Sequence, residues 1–214
     1  MMGGKWAYES LSFGGYWAWD PVENASIVPC LILMAGLHTM VIFKATGHSL
    51  KASYLYAFLT FIFILYSTFL TRTGILGDTS VHAFTDAGKA INVMILSFVA
   101  AFTLPSMILL VANLKKMPFI QKEENINSRE FWMFIGSLVF FLAAMFIIAK
   151  TSVPVYNKVF GTNIAKPENL AYSYNKVIIL VAIIIALLYA INYSFKYKTR
   201  PIIFVLQIIV LPTL

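Results

Sequence analysis

The sequence predicts an all-α integral membrane protein, a bundle of about five to six transmembrane helices that follows an N-terminal tryptophan-rich loop. Hydrophobic residues make up 60% of the 214 residues and charged residues only 12%, whereas soluble domains average about 45–50% apolar and about 25% charged residues. The mean hydropathy is +0.80. Uncharged runs of about 20 residues, the length that crosses a hydrocarbon core, recur along the chain. These observations exclude an ordinary soluble domain.

The uncharged runs place the helices in order after the loop at residues 6–26. Full spans are predicted over residues 24–43, 52–71, 90–114, 131–149 and 175–195. The last run, 201–214, reaches only about 21 Å at about 1.5 Å per residue, so it is predicted as a partial span. We expect truncation at both ends, because residues 1–10 also lack an apolar signal segment. Without long linkers or repeats, residues 1–214 are predicted to form a single polytopic domain.

The charges in the loops predict how this bundle is oriented in the membrane. If residues 1–23 face outward, nine of the 16 Lys and Arg residues fall on the inward side and seven on the outward side. The inward charges are concentrated in short loops, where the positive-inside rule counts them most. The net charge therefore indicates membrane orientation and contact with lipid headgroups. It does not indicate nucleic-acid binding, because no basic stripe is interleaved with polar surface.

The stretch GGYWAWDPVENAS, residues 14–26, concentrates polar and aromatic side chains ahead of the first span. Asp20 and Glu23 have the spacing of a helix capping box, although a carboxylate pair can also act as acid and base. The aromatic rings and glycines suit a flat apolar ligand. Composition alone equally allows these rings to anchor the loop at the membrane–water interface. The candidate ligand contacts are Trp6, Gly14, Gly15, Tyr16, Trp17, Trp19 and Asp20.

Two histidines and an arginine point to haem. His38 lies about 21 Å along the first span, where an ionisable side chain is costly and marks a functional site unless it only bonds a neighbouring helix. Imidazole is a common axial ligand of haem iron. His82 follows the second span on the side of the tryptophan-rich loop, and Arg72 there suits a haem propionate or snorkels to the interface. His48 falls on the opposite side and is assigned to membrane topology.

These motifs resemble the CcmF-type haem lyases and their NrfE-like relatives, within the wider CcsA group of haem-handling membrane proteins. The stretch WAYESLSFGGYWAWDPVENASIVP is similar to the family's tryptophan-rich WWD signature. Three later stretches agree with the family in order: AGLHTMV, TFLTRTGILGDTSVHAF and NSREFWMFIG...SVPVYNKVFG. The similarity extends over most of the chain, from residue 6 to about residue 161.

The resemblance implies a location, a reaction and a set of partners. It places the chain in the bacterial inner membrane with the WWD loop on the periplasmic face, where the loop holds haem delivered by the haem chaperone CcmE. His82 then ligates this haem, and His38 ligates a resident haem b. The implied reaction is covalent attachment of haem to the CxxCH cysteines of an apocytochrome c, handed over by a CcmH-type thiol carrier. We accordingly predict His82 and Arg72 as catalytic residues.

The chain departs from the family's pattern at several positions. The family's first periplasmic histidine lies upstream of the signature and its second transmembrane histidine lies beyond Leu214, so each haem site keeps one axial ligand. Phe13 and Cys30 stand where tryptophans are common, and we expect Cys30, the single cysteine, to pack as a small apolar side chain. The chain alone is expected to be a partial or inactive enzyme. A haem transporter or permease and a haem-free scaffold stay open as alternatives.

Overall fold

The computed structural model describes residues 17–77, 79–80, 88–118, 120, 125–165 and 167–197. These ranges contain helices and no strand: α1 (Pro21–Thr46), α2 (Leu50–Arg72), α3 (Lys89–Asn113), α4 (Arg129–Thr151), α5 (Val153–Phe160) and α6 (Leu170–Tyr197). All except the short α5 are long and apolar enough to cross a membrane, which gives five spans. The predicted fold class is confirmed, and the chain is a multi-pass membrane protein.

The helices extend past the uncharged runs into polar sequence. α1 begins at Pro21 rather than at residue 24, and α6 begins at Leu170 rather than at residue 175. Polar residues continue a helix beyond its apolar part, so a count of uncharged residues underestimates helix length. The short α5 has no counterpart among the predicted spans. The predicted partial span at 201–214 lies outside the described residues.

The spanning helices pack in a row, in the order α3, α2, α1, α4 and α6. α1 is central, and its fully buried side chains include Val28 and Ile32. A Cβ at Gly36 would approach Tyr56 Cβ to 3.3 Å, so glycine permits the close contact between α1 and α2. Leu110 is the one buried residue of α3. Most of the apolar surface of α3 is therefore exposed, as expected of a helix that faces lipid.

The chain reverses direction between spans, so the bundle has two ends. At the Trp19 end, α1 and α6 begin and α2 and α4 end; Tyr66 of α2 and Ser152 after α4 form a hydroxyl–hydroxyl hydrogen bond there, 2.8 Å long. At the His48 end, residues 47–49 form the tight turn between α1 and α2. A Cβ at Gly47 would come within 2.9 Å of Ile120 Cδ1, so the segment before α4 packs against this turn.

Cys30 differs from the expectation that it packs inside the bundle. Its side chain is exposed on α1. The central helix buries the faces that meet α2 and α4, and Cys30 lies off these faces. An exposed apolar side chain in a membrane span contacts lipid rather than water, so this position favours a small apolar residue without requiring burial in protein.

Candidate functional site

The N-terminus of α1 is closed by a complete capping box. Asp20 Oδ1 accepts the Val22 N–H at 2.9 Å, and Glu23 Oε2 accepts the Asp20 N–H at 3.2 Å. Glu23 Oε2 also accepts the N–H of Ala18 at 2.9 Å. Pro21 opens the helix, where its missing N–H costs nothing. Both carboxylates thus bond the backbone, and the predicted capping box is confirmed.

Trp19 lies at the centre of a polar and aromatic cluster. Its indole Nε1–H donates to Asn175 Oδ1 at 2.7 Å. Its ring stacks on Tyr174, with 4.9 Å between centroids and 5° between planes. Asn24, fully buried, donates from Nδ2 to the Trp19 carbonyl at 2.9 Å. Trp19 has φ 58°, a left-handed conformation that bulky residues adopt only where surrounding contacts enforce it.

Trp17 and Ser80 extend this cluster toward the two neighbouring loops. Trp17 packs edge-on against Trp19, with 5.8 Å between centroids and 90° between planes. Trp17 is 40% exposed, whereas Trp19 is 9% exposed. Ser80 Oγ donates to Asp20 Oδ1 at 2.5 Å, which ties the loop after α2 to the start of α1. Of the two tryptophans, Trp17 therefore offers more ring surface to a ligand.

Several predicted contacts lie outside the described residues, namely Trp6, Gly14, Gly15, Tyr16 and His82. The described residues that flank these segments in the chain are Trp17 and Ser80, and both lie at the Trp19 end of the bundle. Arg72 closes α2 at this end, and its side chain is exposed. The structure thus brings together the flanks of the two segments from which we predict haem contacts.

His38 lies in the membrane-spanning part of α1, away from the Trp19 cluster. Its Nδ1 is 2.7 Å from the Met34 carbonyl oxygen. Because a carbonyl only accepts hydrogen bonds, Nδ1–H is the donor of this bond. The ring packs against Phe140 with 5.5 Å between centroids. The described hydrogen bond therefore uses Nδ1 and leaves Nε2 at the other side of the ring.

His38 lines a cavity of about 340 Å³ between α1, α4 and α6. Asn192, on the α6 wall, donates from Nδ2 to the Leu188 carbonyl at 2.8 Å. Its buried Oδ1 has no hydrogen-bond partner within the described part of the chain. Such an oxygen is a polar contact that a ligand can fill. In the same ranges no three His, Cys, Asp or Glu side chains group as a metal site, so iron would depend on His38.

The residues that hold Trp19 were not predicted from the sequence. Tyr174 and Asn175 lie at the polar start of the fifth span, and the Asn175 bond joins residues 156 positions apart. The sequence feature that could have predicted this contact is the aromatic and amide pair in AYSYN, at the same membrane face as the tryptophan-rich loop. Only the packing of α6 beside α4 shows that these side chains contact Trp19.

Comparison with known proteins decides the family. Residues 1–76 match the family described as "Cytochrome C assembly protein". The chain is 33% identical over 159 residues to the cytochrome c-type biogenesis protein ccl1 of Rhodobacter capsulatus, covering 74% of this chain and 24% of that protein. It is 35% identical over 156 residues to the cytochrome c-type biogenesis protein CcmF of Pseudomonas fluorescens, covering 72% and 23%.

The chain belongs to the CcmF-type family of cytochrome c biogenesis proteins. The resemblance drawn from its motifs is thereby confirmed. This CcmF-type chain is also 44% identical over 84 residues to the cytochrome c-type biogenesis protein NrfE of Haemophilus influenzae, covering 39% of the chain and 13% of that protein. It spans about a quarter of the length of the first CcmF-type relatives it matches. No solved structure matches the chain.

Proposed function

We propose that this chain handles haem during cytochrome c maturation, as part of a CcmF-type haem lyase in the bacterial inner membrane with its Trp19 end at the periplasmic face. Family membership supports the biological process. The observation that carries the haem assignment is the His38 side chain, whose Nδ1–H is held by the Met34 carbonyl at 2.7 Å. This bond leaves Nε2 as a ligand beside a cavity within the membrane.

The surroundings of His38 fit a resident haem b. The imidazole ring is fixed by Met34 and Phe140, and the cavity walls are mainly apolar. A hydrogen bond to the distal ring nitrogen raises the basicity of the ligating nitrogen. His38 would hold the iron of this haem through Nε2. Haem b, when bound, supplies the electron that reduces the incoming haem iron.

At the Trp19 end, haem delivered by CcmE is a substrate rather than a resident cofactor. We assign Trp17 to contact with its macrocycle, because this ring is partly exposed. Trp19 and Asp20 keep the loop in place through the Tyr174 stack and the helix cap. Further proposed contacts are Trp6, Gly14, Gly15 and Tyr16, with His82 as the iron ligand and Arg72 as a partner of a propionate.

The chain's share in the reaction is positioning. A cysteine thiol of the apocytochrome CxxCH motif, presented by a CcmH-type carrier, adds across a haem vinyl group. A carbon–sulfur bond forms, the thiol proton goes to the other vinyl carbon, and nothing leaves. His82 controls axial ligation and Arg72 fixes a propionate, so that vinyl group and thiol meet at contact distance. The hydrogen bonds and ring contacts around Trp19 hold the tryptophan-rich loop in one orientation during this addition.

The test is the absorption spectrum of the detergent-purified chain, oxidised and dithionite-reduced. We expect Soret and α bands of protein-bound haem, and weaker bands in His38→Ala. His48→Ala is the matched control, because it removes an imidazole at the opposite end of the bundle. Equal haem content and band positions in His38→Ala and the parent chain would refute the resident site. A parent chain that takes up no haem from added hemin would contradict the proposed function as a whole.

A further inference from the structure

We infer that Lys150 recognises an anionic oxygen group on an apolar ligand at the Trp19 end, and that this group is a haem propionate. The inference rests on the proposed function and adds a contact to it. It concerns a residue near the end of α4, on the side of the Trp19 cluster that faces α6. The sequence alone indicates for this lysine only a place among the charges of the outward loops.

Uncharged partners hold the Lys150 ammonium group in place and leave its positive charge without a counter-charge in the described part of the chain. Its Nζ donates to the Ser173 carbonyl at 3.1 Å and also to Ser173 Oγ. It lies 4.4 Å from the ring centroid of Tyr174 and 5.4 Å from that of Phe146. Two aromatic faces and a serine thus fix the ammonium group, and each of these partners is uncharged.

The ammonium group lacks a counter-ion in the described chain. The ion pair that the described residues form is Arg129–Glu130. It lies in the first turn of α4, at the opposite end of the bundle from Lys150. Lys176 adds a second positive charge near Lys150. Ser173 and the two aromatic rings are uncharged, so they leave the positive charge of Lys150 without an anionic partner among the described residues. The local field at this position therefore favours an anion.

Lys150 also lines a cavity of about 200 Å³ between the start of α1, the α4–α5 junction and the segment before α6. The other walls are largely apolar and include Val153, Pro154, Ile164 and Leu170. One cation in an apolar cavity suits an amphiphile with a single anionic end. A free inorganic anion would gain nothing from these walls, so the expected ligand carries its charge on an apolar body.

The cavity and the Trp19 cluster share Tyr174. Tyr174 stacks on Trp19 at 4.9 Å and lies 4.4 Å from Lys150 Nζ. Trp17 in turn lies 5.8 Å from Trp19 between ring centroids. Because all three separations are short, one haem molecule is long enough to contact the exposed Trp17 ring and to place a propionate at the ammonium group. An anionic phospholipid carries a similar oxygen group, but its acyl chains make no use of flat aromatic faces. The tryptophan rings therefore favour haem.

The experiment compares hemin with hemin dimethyl ester, which lacks the propionate charges. Both are titrated into the chain in phosphatidylcholine nanodiscs, in a His38→Ala background that removes the resident site, and binding is followed by the Soret band. We expect about tenfold tighter binding of hemin, as for a hydrogen bond to a charged group. Lys150→Met should reduce this preference to the part that Arg72 contributes through the other propionate, and Lys150→Arg should keep most of it. Lys158→Met, which removes an exposed charge from α5, should leave it unchanged.

The outcomes separate the two proposals. Equal affinities for hemin and its ester, or a preference as large in Lys150→Met as in the His38→Ala parent, would overturn the role of Lys150 while haem binding stands. No binding of either compound by a chain with a helical circular dichroism spectrum would overturn the outer haem site and this inference together. Phosphatidylglycerol that competes with hemin in the parent chain, but not in Lys150→Met, would assign the anion site to lipid and overturn the propionate.

Discussion

The Trp19 cluster and the His38 cavity lie in one bundle and use their polar groups in opposite ways. In the cluster, the indole N–H, the Trp19 carbonyl and the Asp20 carboxylate all bond other parts of the chain. In the cavity, His38 and Asn192 bond only carbonyls of their own helices, and Asn192 Oδ1 has no partner among the described residues. Asn24 Oδ1 in the cluster also lacks a partner among these residues. The difference lies in the bonds of Trp19 and Asp20, which join segments far apart in the chain and therefore fix structure, whereas the bonds of the cavity stay within one helix.

This difference has a measurable consequence. Substitutions in the Trp19 cluster should lower the free energy of unfolding, because they leave cavities or unpaired polar groups. Substitutions of the polar residues around the His38 cavity should change ligand binding and leave the unloaded chain nearly as stable. Each variant below is paired with a control that changes the same kind of side chain elsewhere.

Trp19→Ala is expected to give the largest loss, about 3–5 kcal/mol of unfolding free energy, because a buried indole and its stack on Tyr174 are removed. Trp17→Ala is the control and should cost about 1 kcal/mol or less, since this ring is partly exposed. Equilibrium unfolding in mixed SDS and detergent micelles measures both. Equal losses in the two variants would show that Trp19 is an interfacial anchor rather than the centre of a packed cluster.

Asn24→Ala should cost about 1–3 kcal/mol, because it leaves the buried Trp19 carbonyl without its donor. Asn192→Ala is the same substitution in the His38 cavity and should stay within about 0.5 kcal/mol of the parent chain. The same unfolding assay compares them. An Asn192→Ala variant as unstable as Asn24→Ala would contradict the division between a structural cluster and a binding cavity.

Asp20→Ala should cost about 1 kcal/mol, the usual value of a helix N-cap. Asp20→Asn should cost only a few tenths of a kcal/mol, because asparagine caps a helix almost as well. This pair also separates capping from acid or base chemistry. If Asp20→Asn keeps stability but loses haem attachment in a complete maturation system, the carboxylate has a chemical role beyond capping α1.

His38→Ala should change the stability of the haem-free chain least, by about 0.5 kcal/mol or less, since its one described hydrogen bond is to its own helix. Ile42→Ala, one turn further along α1 and buried, should cost about 2–5 kcal/mol. Thermal unfolding of both variants without haem tests the contrast. A large loss in haem-free His38→Ala would make His38 a packing residue and weaken its assignment as a ligand.

Local features of the sequence determined the fold class, the five spans and the start of α1. Hydropathy depends on composition within about 20 residues, and a capping box depends on the spacing of Asp20 and Glu23 alone. These properties need no knowledge of neighbouring helices. For this reason they were correct before any packing was known.

The tertiary structure alone decided which residues surround Trp19 and Lys150. Tyr174, Asn175 and Ser173 arrive from the other end of the chain, and their contacts depend on α4 and α6 packing beside α1. Membrane helices are apolar on every side, so their periodicity does not mark the face that meets a neighbour. The order α3, α2, α1, α4, α6 is therefore set by side-chain packing between helices, which local sequence does not encode.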